Sequence, residues 1–586
     1  MKGTKKTGAK RAISLLMALL AGTSPMLMSG CGDNDTSNQT KITAHLFYAG
    51  CGSTWLEEAI ANFERMVADK SYEDGKTGVD IELEKTEENQ IQHIAASGFN
   101  MFFDEGHQTV KGLSQAGLAL NLDDVYSAYS DTRDGVELTL EDKIPAEYRG
   151  AMKGADGHYY ALPSYSWTPG LSYDKTLFDS LNTYFASPDE TNSVLVTTKY
   201  GSANFIKNAS AKKSCGNDGV FGTYDDGLPT TLQEFLILCA ALKQRSVTDV
   251  INVAGSVLHY PNYLITALWA ALSGSDMFKT AAYSFDGELE VVTGNYKSEN
   301  LFDGIDYVKA PETKTVTVTE QTGYYGYDSV YRYYATAMIE VLQKEGFFSS
   351  DSNDKTNDNM MAQGNFILNG LGEIPKKAMF IDGNYWFNEA EEFGGYFESY
   401  TEISGNEERE VAWMPLPTKI YMKDMVTGTE NARELTYTDT SNALVVVNGN
   451  IADQTGKVNA IKDFLKYYYS DANLINCSKK NGLKLAYIDY EIPESELETM
   501  SGWRKNLLQA GNSYKTVYSY HDNKTLNAHM NDRFALHSLQ QVYRPTYNGV
   551  SYMSAYVAMR NGATAKDCFE NTRLTATAWE GIYVGE

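Results

Sequence analysis

Residues suited to holding a small polyhydroxylated molecule stand directly after two predicted strands. Tyr48 follows a run at 42–46 in which apolar and polar residues alternate, and Asp104 and Glu105 follow the apolar run 101–103. The chain also carries 41 Tyr and 7 Trp, whose rings combine a flat apolar face with a hydrogen-bonding edge. A pyranose has an apolar face of C–H bonds and a rim of hydroxyl groups, so rings and carboxylates together would suit it.

Catalytic signatures are weak in this sequence. Only fragments of the nucleophile motif Gly-x-Ser-x-Gly occur, and the eight His residues show no His-Glu-x-x-His spacing. Cys51, Cys215, Cys239, Cys477 and Cys568 are too widely and irregularly spaced to indicate a disulfide framework or a zinc site. We therefore expect neither an enzyme nor a cofactor, although the abundant Asp and Glu leave open a glycoside hydrolase or lyase with two facing carboxylates.

One loop could hold a metal ion. The stretches 217–219 and 224–227 bring the carboxylates of Asp218, Asp225 and Asp226 close together along the chain. Oxygen ligands of this kind suit calcium, but their spacing differs from that of the twelve-residue calcium loop. The alternative is a solvated turn in which these side chains bond to nearby backbone.

The amino terminus has the pattern of an exported protein. Five positively charged residues precede the apolar run 13–21, which is too short to cross a bilayer. The stretch Leu27-Met28-Ser29-Gly30-Cys31 then resembles a lipoprotein signal. That resemblance implies a signal peptide at 1–30, lipidation of Cys31, a flexible tether at 31–40 and a location at the cell surface, on the outer face of the cytoplasmic membrane. An ordinary secretory signal, the alternative, would leave Cys31 without a role.

The strong negative charge narrows the choice of partners. The formal net charge of the whole chain is −26 at pH 7, and removing the five positive charges of the signal takes it to −31. Such a chain repels the phosphates of nucleic acids and anionic lipid surfaces. We therefore expect no nucleic-acid partner and no membrane contact beyond the lipid anchor.

The segment after the tether alternates predicted strands with predicted helices. Alternating apolar residues indicate strands at 42–46 and 79–83, and the run 101–103 indicates a third. Thr54 and Glu57 have the spacing of a capping box at the start of an amphipathic helix. Units of this kind predict an α/β fold with a mostly parallel sheet, whose ligands gather at the carboxyl ends of the strands.

Short motifs along nearly the whole mature chain occur in the order and spacing of a known family. The motifs are Ala59-Ile60-Ala61-Asn62-Phe63-Glu64, Ala95-Ala96-Ser97-Gly98, the stretch 117–124, Tyr159-Tyr160-Ala161-Leu162-Pro163, the stretches 171–178, 228–235 and 378–386, Pro415-Leu416-Pro417, and the stretch 460–467. Together they resemble the extracellular solute-binding proteins of carbohydrate ABC transporters, the maltose-binding-protein-like family.

The resemblance implies a type II periplasmic-binding-protein fold, with two α/β lobes, a hinge and a ligand cleft between the lobes. The first lobe is expected to comprise 41–150 and about 270–400, and the second 151–270 and about 400–486. Residues 487–586 should form a helical region packed on the lobes, in which Thr564 is placed to cap a helix.

The chain is long for this family, and four polar or glycine-rich stretches look like insertions. They lie at 181–227, 275–330, 345–360 and 418–432. Because they lack sustained periodicity, they are expected at loop tips or around the cleft.

The resemblance also extends the candidate site, since a binding protein works by closing two lobes around a solute and needs no nucleophile. The candidate ligand-binding residues are Tyr48, Asp104, Glu105, Tyr165, Trp167, Trp269, Asn384, Tyr385 and Trp386. The stretch 384–386 is the strongest candidate, because a turn of this kind enters the cleft in the resembled family.

Each candidate has a structural alternative. Any of the rings could belong to the core, Trp269 could lie on the buried face of a helix, and Asp104 could cap the N-terminus of the next helix. If Trp386 contacts the solute, Trp386→Ala should abolish ligand-induced stabilisation and leave the unliganded melting temperature nearly unchanged.

The resemblance implies a monomeric lipoprotein that captures a carbohydrate and delivers it to the transmembrane subunits of an ABC permease. The long insertions favour an oligosaccharide over a single sugar. Two alternatives remain open at this point, a surface glycoside hydrolase or lyase and a sensor that presents its ligand to a membrane kinase.

Overall fold

The computed structural model of the protein describes residues 38–48, 50–106, 109–405, 407–424, 434–440, 442–519, 523–529 and 544–585. The predicted signal peptide, Cys31 and most of the predicted tether lie outside these residues. Within them, no helix is long and apolar enough to cross a membrane.

Strands build two main sheets and several smaller ribbons in the described part of the chain. In chain order they are β1 Thr40–Phe47, β2 Val79–Thr86, β3 Met101–Glu105, β4 Tyr129–Arg133, β5 Val136–Thr139, β6 Leu162–Pro163, β7 Pro169–Asp174, β8 Ser193–Thr198, β9 Gly201–Ile206, β10 Asp249–Asn252, β11 Gly287–Asn300, β12 Lys309–Val318, β13 Lys377–Gly383, β14 Val411–Trp413, β15 Thr436–Asp439, β16 Ala443–Val447, β17 Lys515–Tyr518, β18 Thr546–Tyr547 and β19 Val550–Ser551.

Helices cover the sheets and form much of the carboxyl-terminal region. In chain order they are α1 Thr54–Met66, α2 Val110–Gln115, α3 Asp123–Tyr126, α4 Lys175–Leu181, α5 Leu232–Gln244, α6 Pro261–Ser273, α7 Ser275–Lys279, α8 Val330–Lys344, α9 Asn359–Ile367, α10 Trp386–Glu389, α11 Tyr396–Ser404, α12 Thr455–Tyr468, α13 Asp471–Asn481, α14 Glu494–Leu497, α15 Gly502–Ser513, α16 Lys524–Ala528, α17 Ala555–Arg560, α18 Ala565–Glu570 and α19 Ala576–Glu580. Short 3-10 or π turns lie at Ile91–His93, Glu141–Lys143, Ala146–Met152, Thr280–Ser284, Glu320–Asp328, Ala390–Gly394, Met422–Asp424 and Gly449–Ile451.

The first lobe is built on a five-stranded sheet in the order β2-β1-β3-β16-β6. β1 runs parallel to β2 and β3, whereas β16 is antiparallel to its neighbours β3 and β6. The alternating residues Ile42, Ala44 and Leu46 of β1 are fully buried, as are Leu56 and Phe63 of α1. The predicted order of strands and helices in this region is confirmed.

The start of α1 differs by one residue from the prediction. Ser53 and not Thr54 stands at the N-cap, and its side chain makes no capping bond to the backbone of the first turn. Instead, the Ser53 hydroxyl donates to Glu57 Oε1 at 3.1 Å. The expected capping box is therefore absent from this helix, although Glu57 does interact with the N-cap residue.

The second lobe is built on a four-stranded sheet in the order β10-β13-β7-β14. β10 is parallel to β13, and β7 is antiparallel to β13 and β14. The predicted lobe assignment is therefore wrong after residue 270, because β13 lies in the second sheet and β16 in the first. Both strands are entirely buried, and a strand buried on both faces carries no pattern that identifies its sheet.

Chain crossings between the lobes lie side by side and form the hinge. The first crossing, 164–168, joins β6 to β7, and the second joins β15 to β16. The Asp439 carboxylate of the second crossing accepts hydrogen bonds from the N–H of Trp167 at 2.8 Å and from the Ser166 hydroxyl. A third segment, at Lys484, contacts the first crossing, because the Ser166 N–H donates to the Lys484 carbonyl at 3.0 Å. We refer to these three segments as the crossings.

Two of the predicted insertions form hairpins. β8 and β9 pair within 181–227, and β11 and β12 pair within 275–330. Both stretches therefore contain regular structure, and neither hairpin pairs with a strand of the two main sheets. Of the stretch 418–432, only the part up to residue 424 is described.

The carboxyl-terminal region packs on both lobes, as predicted. Helix α15 contacts β14 of the second lobe and α13, which follows the first-lobe strand β16. Helices α17 and α18 pack against α8. Thr564 caps α18 in a capping box with Asp567, which confirms the predicted cap.

Candidate functional site

The loop after β1 lies directly against the second lobe. Gly50 has a φ of +88°, and a Cβ atom at this position would lie 2.6 Å from the Tyr385 ring. A residue with a side chain would be both strained and obstructed here, so glycine permits the close approach. Three residues further on, the Ser53 N–H donates to Glu392 Oε2 at 3.3 Å. We call the space between the carboxyl ends of β1 and β3 and the second-lobe residues 382–393 the interlobe groove.

Aromatic rings from several segments meet at this groove. The Tyr48 ring lies 4.7 Å, between centroids, from the ring of Phe393. The Trp167 ring, from the first crossing, lies 5.3 Å from the ring of Tyr385. The structure thus brings together three rings selected from the sequence, those of Tyr48, Trp167 and Tyr385, and adds Phe393.

Glu105 contributes a carboxylate from the first lobe. Burial raises its pKa to about 7, and the adjacent charge of Asp104 acts in the same direction. Its Oε1 atom is buried and has no hydrogen-bond partner among the described residues. A carboxylate with an open acceptor position can take a hydrogen bond from a solute hydroxyl.

Two tyrosines that the sequence analysis missed belong to the same site. Tyr260 and Tyr263 stack with ring centroids 4.9 Å apart at the start of α6. Burial raises the pKa of Tyr263, and the charges of Asp382 and Glu105 raise it further, so carboxylates of both lobes lie near this ring. The available signal was their position at a junction between strand β10 and a helix, similar to the position of Tyr48.

The second lobe supplies an acidic pair beside these rings. Burial raises the pKa of Asp382 well above its usual range, and the neighbouring charge of Glu389 acts in the same direction. Glu389 accepts hydrogen bonds from Gln363 Nε2 at 2.5 Å and from Asn359 Nδ2 at 3.1 Å, and burial raises its pKa as well. A carboxyl group with a raised pKa can be neutral, and a neutral carboxyl both donates and accepts.

Asp104 uses its carboxylate to accept hydrogen bonds from the backbone and does not offer it to a solute. Its Oδ2 accepts from the backbone N–H groups of Gln90 at 2.7 Å and Ile91 at 2.9 Å, and its Oδ1 accepts from the N–H of Glu105 at 2.9 Å. The side chain is fully buried. The structure favours the capping alternative, with the difference that Asp104 caps the preceding turn Ile91–His93 and not the following helix.

Two of the predicted tryptophans lie in the core of the protein. Trp386 is 0 % exposed, and its indole N–H donates to Ser172 Oγ at 2.9 Å. Trp269 is 1 % exposed, and its indole N–H donates to Ser329 Oγ at 3.2 Å. Neither ring has a free face to offer a solute, so the structure does not bring them to the groove.

The remaining two candidates adjoin the crossings. The Asn384 side chain accepts from the Thr168 N–H at 3.0 Å, and its own N–H donates to the Thr168 carbonyl at 2.9 Å. Asn384 thereby fixes the second lobe to the first crossing. Tyr165 is buried, and burial together with the charges of Cys51 and Glu105 raises its pKa, which places its ring near the first-lobe wall of the groove.

Residues 53–474 match the sequence pattern of the family described as bacterial extracellular solute-binding protein. The chain belongs to this family. The matched region begins at Ser53, the N-cap residue of α1, and ends within helix α13, so it contains β3 and residues 382–393 of the groove but not β1 or Tyr48.

Several solved structures resemble this solute-binding protein. A chitin oligosaccharide binding protein is 13 % identical, with a TM-score of 0.48, and the match covers 94 % of this chain and all of the other. The GacH receptor of Streptomyces glaucescens is 13 % identical, with a TM-score of 0.46 and coverage of 93 % and 98 %. The binding protein MsmE of Bacillus subtilis, in an open conformation, is 11 % identical, with a TM-score of 0.45 and coverage of 93 % and 98 %. No curated protein sequence matches the chain.

The acidic loop of the solute-binding protein uses its carboxylates internally. Asp225 Oδ2 accepts from the N–H groups of Asn217 at 2.6 Å and Asp218 at 3.1 Å. Asp218 Oδ1 and Asp226 Oδ2 each accept from a backbone N–H of the same loop at 2.7 Å. This is the bonding of the turn alternative, and no cluster of three or more metal-ligating side chains occurs in the described ranges. Calcium binding by Asp218, Asp225 and Asp226 stays a prediction of the sequence.

Proposed function

We propose that this protein captures a carbohydrate, specifically an oligosaccharide, in the interlobe groove as the extracytoplasmic component of an ABC importer. The observation that carries the proposal is the convergence of rings and carboxylates from both lobes. Tyr48 and Glu105 come from the first lobe, Trp167 from a crossing, and Tyr385 and Asp382 from the second lobe. Rings of this kind stack on the C–H face of a sugar, and carboxyl groups bond to its hydroxyls.

Capture in this arrangement depends on the movement of the lobes. The groove lies between the two lobes, and the crossings connect the lobes on one side of it. Asp439 holds two of the crossings together by hydrogen bonds, so the lobes can separate by bending at the crossings. A solute that contacts Glu105 and Tyr385 at once stabilises the closed form by the contacts it makes only there. Binding energy is thereby converted into closure, and the permease would recognise the closed lobes.

The capture of a neutral sugar needs no catalytic group, and we propose that none acts here. In the groove, the buried Glu105 and Asp382 would serve as hydrogen-bonding groups to hydroxyls. A hydrolase or lyase would require two carboxyl groups placed on either side of a scissile bond. Incubation of the purified protein with oligosaccharides should therefore yield no new reducing ends, and any turnover would contradict a purely binding role.

A thermal-shift screen with mono- and oligosaccharides tests the proposed site. A ligand at about 100 times its Kd stabilises the folded state by about 2.7 kcal/mol, which raises the melting temperature by a few degrees. Tyr385→Ala should abolish this increase, because it removes the ring that closes the groove over Gly50. The control Tyr129→Ala, at a ring that is 62 % exposed and outside the groove, should retain it. An equal shift in both variants would place the sugar elsewhere.

The proposal includes anchoring at the outer face of the cytoplasmic membrane through Cys31. The expressed full chain should incorporate radiolabelled palmitate, because the acyl chains are attached at this cysteine. Cys31→Ala should incorporate none and should appear in the soluble fraction. Palmitate labelling that survives Cys31→Ala would contradict the anchor without affecting the proposed groove, since Cys31 precedes every described element.

A further inference from the structure

A second cavity, of about 510 Å³, lies behind the crossings. Ser166 and Asn384 line this cavity, whereas the rings of their neighbours Trp167 and Tyr385 contact each other at the groove. Successive side chains of an extended chain point to opposite faces, so Ser166 and Trp167 of the first crossing face different spaces. The cavity is therefore not part of the proposed sugar site.

The cavity walls come from every part of the protein. Tyr148 belongs to the first lobe, Ser275 and Lys279 follow the second-lobe helix α6, and Lys484 lies on a crossing. Leu507, Leu508 and Gly511 of α15 and residues 515–518 of β17 add a wall from the carboxyl-terminal region. An occupant would thus touch both lobes and the hinge together.

Aromatic rings and polar groups share the lining. The Tyr518 ring lies 5.1 Å from that of Tyr148 and 4.5 Å from that of Tyr487, between centroids. Ser166 and Asn384 add a hydroxyl and an amide. This combination of ring faces and small polar groups is typical of sites for hydroxylated small molecules.

The lysines that line the cavity differ in whether they have a carboxylate partner. Lys279 pairs with Glu147 at 2.7 Å, and Lys515 pairs with Glu434 at 2.6 Å. Lys484, in contrast, forms no ion pair with any residue that the structure describes, and its Nζ lies 5.1 Å from the centroid of the Tyr490 ring. Asp489, the acidic residue of the lining whose charge acts most strongly on Lys484, has a side chain that is 78 % exposed.

Burial disfavours the charged form of the Lys484 ammonium. Burial lowers its pKa, while the charges of Asp489 and Glu491 oppose that effect and Arg133 adds to it. A buried ammonium without a carboxylate partner gains more from an anionic ligand than an exposed or paired one, because no competing ion pair has to be broken.

We propose that this cavity is a second binding site, for a small acidic saccharide of about disaccharide size whose carboxylate pairs with Lys484. The volume lies within the range of small-molecule sites, roughly 300–1,000 Å³. The carboxylate supplies the charge that Lys484 lacks, and the sugar hydroxyls bond to Ser166 and Asn384. The tyrosine rings provide the apolar face against which the sugar packs.

Isothermal titration with two matched disaccharides tests this assignment. Digalacturonate and α-1,4-galactobiose differ only in their carboxylates, so their comparison isolates the contribution of charge. At about 150 mM salt, which shortens the range of the protein's overall negative field to about 8 Å, digalacturonate should bind at least tenfold more tightly than galactobiose. Lys484→Met, which keeps the apolar stem, should weaken digalacturonate binding at least tenfold. Lys480→Met, the same charge change at a lysine that is 49 % exposed and outside the lining, should not.

A second variant tests the cavity without removing a charge. Gly511 lies in α15, and a Cβ atom there would lie 3.7 Å from Lys484 Cδ and from the Tyr514 hydroxyl, an ordinary contact. Gly511→Met should fill the cavity and block digalacturonate. It should also raise the melting temperature of the free protein, because glycine is a poor helix former.

Three results would overturn the proposal. Wild-type protein that binds no digalacturonate would refute the site, as would binding that persists unchanged in Lys484→Met or Gly511→Met. Binding that is lost in Tyr385→Ala would show that the acidic sugar occupies the groove. Loss of neutral-sugar binding in Tyr385→Ala, with digalacturonate binding intact, would support both sites independently.

Discussion

Trp386→Ala should reduce the free energy of unfolding by about 3–5 kcal/mol, the usual cost of emptying a tryptophan site in a core. The ring is 0 % exposed and packs against Phe380, Phe366 and Trp503, with centroid distances of 5.3, 5.7 and 5.5 Å. Its truncation also leaves the Ser172 hydroxyl without the indole donor. Thermal unfolding of the unliganded protein, followed by circular dichroism, measures the effect.

This expectation reverses the one drawn from the sequence, in which Trp386 contacts the solute and its loss spares the unliganded protein. The matched control is Trp167→Ala, which removes a half-buried tryptophan ring from the groove. It should lower the unliganded melting temperature less than Trp386→Ala does and should affect ligand-induced stabilisation. An unliganded melting temperature of Trp386→Ala within about a degree of wild type would return this residue to the list of ligand contacts.

Glu105→Gln should stabilise the free protein strongly at pH 8 and much less at pH 5. The folded protein raises the pKa of Glu105 from 4.5 to about 7, so between these values the folded state binds the proton more tightly than the unfolded state. Stability therefore falls as the pH rises from about 4.5 to 7, and the loss is complete above 7, on the order of 3 kcal/mol. Glutamine is neutral at every pH and avoids this loss.

The same substitution should weaken the proposed carbohydrate site. A hydrogen bond from a solute hydroxyl to a charged carboxylate contributes about 1.5–3 kcal/mol, so Glu105→Gln should lower sugar affinity by about ten- to a hundredfold at pH 8. Melting curves and titrations at pH 5, 6, 7 and 8 give both results from one set of samples. Glu88→Gln, at an exposed glutamate in the same lobe, is the control and should change neither. Parallel stability curves for wild type and Glu105→Gln across this range would contradict the raised pKa.

The first lobe could be predicted from the sequence because its elements are one-sided. β1 alternates buried and exposed residues at its start, and α1 has a narrow apolar stripe, so periodicity identifies both. The lobe assignment failed where that signal ends. β13 and β16 are buried along their whole length, and their partners β7 and β3 lie more than 190 residues away in the chain. Both sheets have an interior that takes apolar strands, so the apolar content of β13 and β16 does not indicate to which sheet each strand belongs.

The site was predicted in part for related reasons. Position at the end of a strand selected Tyr48 and Glu105, and the structure places both at the groove because the carboxyl ends of strands meet at one edge. Tyr385 and Trp386 are adjacent and both buried, yet Tyr385 contacts Trp167 whereas Trp386 packs against Phe380, and the two residue types carry no signal of that difference. Helix α6 is buried on nearly all sides, so no stripe distinguished Trp269 from Tyr260 and Tyr263 near its start.

The second lobe's contact with Gly50 and Ser53 has a consequence for how long a solute remains bound. Contacts that hold the lobes together without a solute must break before one can enter or leave. The apparent affinity then equals the intrinsic affinity multiplied by the fraction of molecules in the competent form. In the proposed function, Glu392 and Tyr385 therefore have two effects, since the contacts that hold the lobes together also set how long the solute remains bound.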